Sequence, residues 1–575
     1  MGARWGTHQA TTSRRSGEPP LLGWGVVDPR ALAELIRECV QTTLPESSGL
    51  SSDDIALERP KNRDHGDWAT SIALKLAKAA GVNPRDLATS IASELLTHEG
   101  IASAEVAGPG FINITLDAGS AGALVKTIVE AGEAYGRGDE LTGQVINVEY
   151  VSANPTGPLH IGHTRWAALG DSLVRVLRAA GASVTAEFYI NDQGVQMDKF
   201  GQSVVAAAEG SEPPEDGYQG AYIHDLATRV LERSPDLLSL PDEAKVGTAR
   251  DQAYELQLGD IRESLERFNV HFDVWFSERT LHAPGSDGVS PIDESLERLR
   301  AGGHVFDDDG ATWVRTTDFG DDKDRVIRRA NGAYTYFAAD AAYYLSKSDR
   351  GFWKKIYLLG ADHHGYIHRL KALAGAAGEN PEENVEILIG QLVSINGAKL
   401  SKRAGNIVEL DDLQKWLGTD ALRYSLARYP ADSPLTLDSD ILTKRSNDNP
   451  VFYVQYAHAR THQVARNAAA AGVTREVFDP STLTHDTESA LIASLGDFPR
   501  VVSQAAELRE PHRIARYLEE VASVYHRWYD ACRVTPLGDD PIEAVHGTRL
   551  WLNDATGQVL RNGLFLLGVS APERM

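Results

Sequence analysis

A chain of 575 residues exceeds what one hydrophobic core usually supports, so roughly three or four domains are expected. Its 42% hydrophobic and 24% charged residues are those of an ordinary soluble globular protein, and no apolar run approaches the ~20 residues that span a bilayer, which argues against a membrane role. The formal net charge of -24 repels nucleic acid from the molecule as a whole, so DNA is not an expected partner and RNA could bind only on locally basic faces.

Residues 1–27 contain Arg14, Arg15 and the pair Pro19-Pro20 but no long apolar core behind these charges. They read as a disordered extension or an over-long start, not as a secretory signal. From 28 to 137, Leu32, Leu35, Ile36, Cys39 and Val40 mark an amphipathic helix, and Ile72, Leu74, Leu76 and Ala77 a second; Pro84 opens a third that runs to Leu96. The turn Gly108-Pro109-Gly110 leads into strand-like Phe111-Ile112-Asn113-Ile114-Thr115-Leu116, so this stretch is expected to be a compact α+β module. Cys39 and Cys532 have no metal-ligand spacing and fit buried apolar positions in a reducing cytoplasm.

The most specific signal follows. An apolar strand (Val145, Ile146, Val148) runs through Glu149 into a Pro/Gly turn and then His160-Ile161-Gly162-His163, which opens a helix with apolar positions at Trp166, Leu169, Leu173, Val176 and Leu177. Gly181 ends that helix, and residues 184–190 form the next strand. Histidines at a helix N-terminus present imidazole N–H groups and free backbone amides to an anion, and Gly162 lets a nucleotide approach the backbone closely. His-Ile-Gly-His alone is weak evidence; its position after a strand and behind Pro155, Gly157 and Pro158 gives it weight.

From about 144 to 390 strands and helices alternate, and the apolar strands 356–359 and 385–389 are each followed by a glycine, a parallel-sheet signature. The polar helical stretch 201–274 and short strands around Trp313 read as insertions over the site. Tyr336 and Asp340, four apart, share a face if helical. The cluster Asp362-His363-His364-Gly365 with His368 has the residue types of a zinc site, but it follows a strand end where parallel sheets bind ligands, so no metal is assigned to it. Lys399-Leu400-Ser401-Lys402-Arg403, after the last apolar strand, is either a solvated basic turn or a mobile clamp for a leaving pyrophosphate. From 441 to 575 the pattern is helical, with segments near 451–470, 487–508, 511–532 and 544–567.

The histidine and lysine motifs together resemble the HIGH and KMSKS signatures of class I aminoacyl-tRNA synthetases. The stretch Ala153, Asn154, Pro155, Thr156, Gly157, Pro158, Leu159, His160, Ile161, Gly162, His163 is very similar to the signature of arginyl-tRNA synthetases. His65-Gly66-Asp67-Trp68, Asp420-Ala421-Leu422-Arg423, residues 449–460 and the terminal 567–575 agree with that family, so the resemblance covers nearly the whole chain beyond about residue 28. The lysine loop departs from the general motif at Leu400 and Arg403, where Met and Ser are usual, but keeps Ser401 and both lysines.

The expected fold is a multidomain α/β protein: a Rossmann-like parallel-sheet catalytic domain with insertions over 138–440, an N-terminal α+β module over 28–137, and a C-terminal all-α helical bundle over 441–575. The resemblance implies ATP-dependent activation of L-arginine to arginyl-adenylate and its transfer to tRNA(Arg), with Mg2+ bound mainly by ATP, in a cytoplasmic and monomeric protein. It implies catalysis by His160, His163, Lys399 and Lys402, with Pro155, Gly157, Gly162 and Ser401 joining them around ATP. Glu149, Asn154, Tyr336 and Asp340 are the implied arginine contacts. Apart from the resemblance, a strand-end glutamate such as Glu149 is more often solvent-facing, and Asp340 could equally serve an N-cap or a structural ion pair.

The N-terminal module is implied to touch the tRNA elbow and the bundle to bind the anticodon. There, one or two of Tyr453, Tyr456, Tyr525, Trp528 and Tyr529 would be exposed for base stacking, beside basic residues such as Arg445, Arg460 and Arg466. Another class I synthetase or a related nucleotidyltransferase would share both phosphate motifs without the Glu149, Tyr336 and Asp340 set. A non-catalytic RNA-binding paralogue is disfavoured by the intact histidines and lysines.

Overall fold

The strand expected before the histidine motif forms at Val145–Glu149 and is the middle of a five-stranded sheet. Across that sheet the order is Val385–Gly390, Lys354–Gly360, Val145–Glu149, Ser183–Ile190 and Val274–Ser277, and every pairing is parallel. The chain first builds outward from the central strand on one side, then returns to add Lys354–Gly360 on the other. This reversal opens a crevice beyond the carboxyl ends of the two innermost strands, where parallel sheets bind ligands. The computed structural model of the chain describes residues 29–47, 49–60, 65–361, 365–396 and 408–575. Expectations for residues 1–27, for Asp362, His363 and His364, and for Lys399, Ser401 and Lys402 lie outside the described residues.

The helix opened by the histidines spans Ile161–Ala179 and is buried along most of its length. It lies close enough to the sheet that a Cβ on Gly170 would fall 2.3 Å from the ring of the wholly buried Tyr150, so glycine is required there. Gly181, at φ +94°, takes the left-handed conformation that turns the chain into Ser183–Ile190.

The first insertion is three helices, Val195–Ala208, Ala221–Arg233 and Asp242–Arg267, with an apolar core of their own that includes Phe200, Ile223, Val230 and Ala253. A second carries a three-stranded antiparallel sheet of Val305–Asp308, Ala311–Val314 and Arg325–Arg328. It leads into the helix Tyr336–Asp349, whose face packs with Leu296, Leu299, Leu370 and Leu373 in one core.

The chain divides into two compact units. One holds Gly132–Ala471, Asp497–Ala531 and Thr556–Met575, and so contains the parallel sheet; the other holds the residues up to Ala131 with Gly472–Gly496 and Cys532–Ala555. Residues 441–575, read from sequence as one helical bundle, thus contribute to both. The expected helix 487–508 forms as two, Asp486–Gly496 and Phe498–Glu507, because Pro499 has no amide to continue the first and suits the opening turn of the second.

In the N-terminal unit, Leu57–Glu58, Trp68–Thr70, Phe111–Leu116 and Ile101–Ala107 make an antiparallel sheet in that order, of which only Phe111–Leu116 was legible as a strand. The motif His65-Gly66-Asp67-Trp68 is structural: a Cβ on Gly66 would meet the Ile114 carbonyl oxygen at 2.7 Å, Asp67 accepts from the Leu116 amide at 2.9 Å, and Arg59 stacks 3.7 Å from the buried Trp68 ring. Cys39 and Cys532 are both free and buried. Among the described residues no helix is long and apolar enough to cross a membrane.

Candidate active site

A cavity of about 820 Å3 lies at the switch point of the sheet and joins the two halves of the signature. It is walled by His160, Gly162, His163, Trp166, Gly390 and Gln391, and also by Glu149, Tyr189, Asp340, Tyr343, Tyr357 and Tyr366. Ala153, Asn154 and Ile161 also line it. The turn between Glu149 and the histidines is forced: Val151 and Ser152 adopt φ +67° and +42°, a conformation costly for a β-branched residue and held because the Ser152 Oγ accepts from the Tyr189 amide at 3.2 Å and donates to Glu149 Oε1 at 3.3 Å.

His160 caps the helix. Its Nδ1 accepts from the Gly162 amide at 3.1 Å, while the His160 amide donates to His163 Nδ1 at 3.4 Å, and the two rings sit 4.0 Å apart. A backbone amide can only donate, so each Nδ1 is an acceptor and each neutral ring carries its proton on Nε2. Burial holds the His160 imidazole below its ordinary pKa and, together with the neighbouring His160, brings His163 down to about 4. The pair therefore offers two neutral N–H donors at the helix N-terminus near pH 7, not two cations.

Pro155, Thr156, Gly157, Pro158 and Leu159 do not line the cavity; they hold the motif in place. The Tyr222 hydroxyl, from the helical insertion, donates to the Thr156 carbonyl at 3.1 Å, and a Cβ on Gly157 would meet that hydroxyl at 3.4 Å. The Leu410 amide donates to the Leu159 carbonyl at 2.8 Å and the Ile161 amide to the Val408 carbonyl at 3.0 Å. Val393 lines the cavity. The segments on both sides of the lysine motif are thus anchored beside the histidines.

Among the carboxylates, Glu149 Oε2 lies 2.6 Å from the Nζ of the wholly buried Lys347. Tyr366 donates to Asp340 Oδ2 at 3.0 Å. Burial raises the Asp340 carboxyl to about 7, against the Tyr366 hydrogen bond, and the acids Glu278 and Glu149 push it the same way. Asn154 is exposed at the cavity edge and its amide donates to Gln196 at 3.1 Å.

Tyr336 departs from expectation. It is the first residue of its helix, is 71% exposed and does not line the cavity. Four-residue spacing places it on the face of Asp340, but at the helix terminus no preceding turn packs over it. Tyr343, further along the same face, lines the cavity instead.

Several site residues were not legible. Lys347 lies seven positions after Asp340, and that helical periodicity was its only signal. Glu278 follows the strand Val274–Ser277; it is buried, pairs with His282 at 3.5 Å, and its field reaches Asp340. Only the pairing of that strand with Ser183–Ile190 brings it near. His368 is exposed on the helix Tyr366–Ala376.

The motif Asp420-Ala421-Leu422-Arg423 and the chain terminus interlock. Asp420 accepts from the Ser570 amide at 3.0 Å and from Gln455 at 2.8 Å, and His458 Nδ1 donates to the Pro572 carbonyl at 2.9 Å. Of the five aromatic candidates, Tyr525 and Trp528 are core, whereas Tyr456 and Tyr529 are 36% and 41% exposed. Arg460 lies over both exposed rings, at 4.7 and 4.5 Å.

Three family models match: "Arginyl tRNA synthetase N terminal domain" over residues 30–116, "tRNA synthetases class I (R), catalytic domain" over 125–423, and "DALR anticodon binding domain" over 454–575. The chain is 62% identical over 548 residues to an arginine–tRNA ligase of Paenarthrobacter aurescens, covering 95% of this chain and 98% of the relative. It is 65% identical over 522 residues to one of Renibacterium salmoninarum, covering 91% and 94%. The fold matches the arginyl-tRNA synthetase structure of Thermus thermophilus with a TM-score of 0.69 at 23% identity, covering 95% of this chain and all of that one.

Proposed function

The chain belongs to the arginyl-tRNA synthetase family of class I aminoacyl-tRNA synthetases, and from that premise we propose how its residues divide the ATP-dependent activation of L-arginine and its transfer to tRNA(Arg). The observation that carries the assignment is the cavity that brings together neutral histidine donors and the carboxylates of Glu149 and Asp340. Such a space fits a cationic amino acid and a polyphosphate held head to head.

The guanidinium sits against Glu149 and Asp340, where charge-assisted hydrogen bonds recognise its planar fork and a lysine ammonium cannot reproduce the geometry. Asn154 orients the α-amino group. The arginine carboxylate then attacks the α-phosphorus of ATP, forming the mixed anhydride and expelling pyrophosphate. His160 and His163 donate Nε2–H groups to the phosphates, and Gly162 leaves room for the nucleotide backbone contact. Lys399 and Lys402, with Ser401, gather the charge that builds on the leaving group; the anchoring of residues 408–410 beside the histidines supports this. Mg2+ would be held mainly by the ATP phosphates and would share the charge on the leaving pyrophosphate. In the second step the terminal ribose hydroxyl of the tRNA attacks the arginyl carbonyl and AMP leaves. Positioning and electrostatics supply the rate, with no covalent enzyme intermediate.

The anticodon stacks on the Tyr456, Arg460 and Tyr529 patch, with Arg445 and Arg466 as further cations, and residues 28–137 touch the tRNA elbow. The protein acts as a cytoplasmic monomer. ATP–pyrophosphate exchange with each amino acid, with and without tRNA(Arg), tests the whole scheme: exchange is expected with arginine alone and to depend on the tRNA. A folded protein that charges no tRNA with arginine would rule it out.

A further inference from the structure

We propose that Lys347 is a positioning residue for arginine specificity: it fixes and part-neutralises Glu149, so that the carboxylate is already in place when the substrate arrives. The inference rests on the reading of Glu149 as a guanidinium contact. Lys347 belongs to the helix Tyr336–Asp349, seven residues after Asp340 and four after Tyr343, so one helical face supplies a cavity carboxylate, a cavity ring and the buried ammonium. The ammonium lies 2.6 Å from Glu149 Oε2, and 4.4 and 4.1 Å from the ring centroids of Tyr343 and Tyr357. A lysine with no solvent contact, held by one carboxylate and two π faces, is committed to that place.

The other oxygen, Glu149 Oε1, takes the Ser152 hydroxyl at 3.3 Å, and Ser152 is itself fastened by the Tyr189 amide. Both oxygens are thus anchored from the protein side before substrate arrives, which removes the cost of ordering the carboxylate on binding. Lys347 also offsets charge. Glu149 and Glu278 both act on Asp340, so a cation held against Glu149 lessens the repulsion among the carboxylates that are to face a guanidinium. A second observation points to the same spot: the Tyr357 hydroxyl is buried, lines the cavity and has no hydrogen-bond partner among the described residues, leaving one donor to be met by a ligand.

The same helix has a second clamp that serves as a control. Arg350, just past its end, pairs with Glu187 at 2.5 Å on the neighbouring strand, but neither residue lines the cavity. A purely structural role for Lys347 would make the two clamps equivalent.

The test is ATP–pyrophosphate exchange with the full chain and tRNA(Arg), comparing wild type, K347M, E149Q, K347M/E149Q and R350M. K347M should raise the arginine KM about tenfold or more, the size of a lost charge-assisted contact, with the ATP KM changed less than about twofold. In the double variant the arginine KM should equal that of E149Q alone, because Lys347 acts only through Glu149. R350M should show no selective change for arginine. Where K347M fails to fold, the comparison of K347M/E149Q with E149Q still decides, since the double variant removes both charges and E149Q keeps an amide oxygen as acceptor for the Lys347 ammonium. Equal rises in both KM values, or effects of K347M and E149Q that add, overturn the inference while the arginine reading stands. Wild type that does not exchange with arginine, or E149Q with an unchanged arginine KM, overturns the arginine reading and the inference with it.

Discussion

Arg423 and Asp171 form a buried ion pair, Nη2 to Oδ2 at 2.5 Å, that fastens the histidine-motif helix to the helix Thr419–Ala427. The guanidinium spends its other donors on the carbonyls of Leu567, Phe268 and Asn269 at 3.1, 2.9 and 3.0 Å. It leaves so little space that a Cβ on Gly568 would fall 2.1 Å from Arg423. Removing this arginine leaves the Phe268 carbonyl without its donor, leaves the Leu567 and Asn269 carbonyls to longer bonds from Ser172 at 3.4 Å and Arg175 at 3.3 Å, and leaves Asp171 paired with Arg175. Arg423→Met should therefore destabilise the sheet-bearing unit by about 3–5 kcal/mol. Urea unfolding reports this, and substrate KM values measured well below the transition should stay near wild type, because Arg423 does not line the cavity.

Asp340 gives the site a pH dependence of defined sign. In the free enzyme its carboxyl titrates at about 7, raised chiefly by burial, whereas the guanidinium of arginine is charged throughout. Below pH 7 arginine must displace a proton; above it the carboxylate is ready. The arginine KM should fall as pH rises from about 6 to 8, approaching tenfold per unit on the acid side. Asp340→Asn should raise the arginine KM strongly, leave ATP affinity nearly unchanged and flatten that profile. A profile that persists in the variant assigns the titration to another group.

Gly390 meets Trp166 so closely that a Cβ there would lie 1.4 Å from the indole ring. The overlap is too large for small adjustments, so Gly390→Ala should drive the ring into the cavity that both residues line, costing about 1–3 kcal/mol of stability. The ATP KM should rise severalfold while the arginine KM changes little. Pairing the change with Trp166→Leu, which frees the space, should return part of the ATP affinity.

Lys402→Ala separates ground-state binding from transition-state charge. Loss of a cation aimed at a leaving pyrophosphate should cut kcat for adenylate formation by about a hundredfold or more with modest change in either KM. Single-turnover measurement of arginyl-adenylate formation checks this, and an unaltered rate would remove Lys402 from the clamp.

The strand–turn–helix around His160 was readable because periodicity, turn residues and helix start all fall within local sequence, and the helix Ile161–Ala179 and strand Ser183–Ile190 form where that pattern places them. The strand Ile101–Ala107 was not, since half of its side chains are only partly buried and its alternation is weak. Tyr336 shows the limit of spacing alone: a four-residue repeat names a face but not whether the end of that face is covered.

By itself the sequence determined the local frame of the histidine motif, because those residues are set beside their own backbone: a capping histidine and a glycine at a helix start. Tertiary structure alone decided which charges share a dielectric. Glu149 and Lys347 are 198 positions apart, and Asp340 and Glu278 come from different elements; their pairing follows from strand order and helix docking. Electrostatic energy depends on distance and burial through space, neither of which is written in residue order.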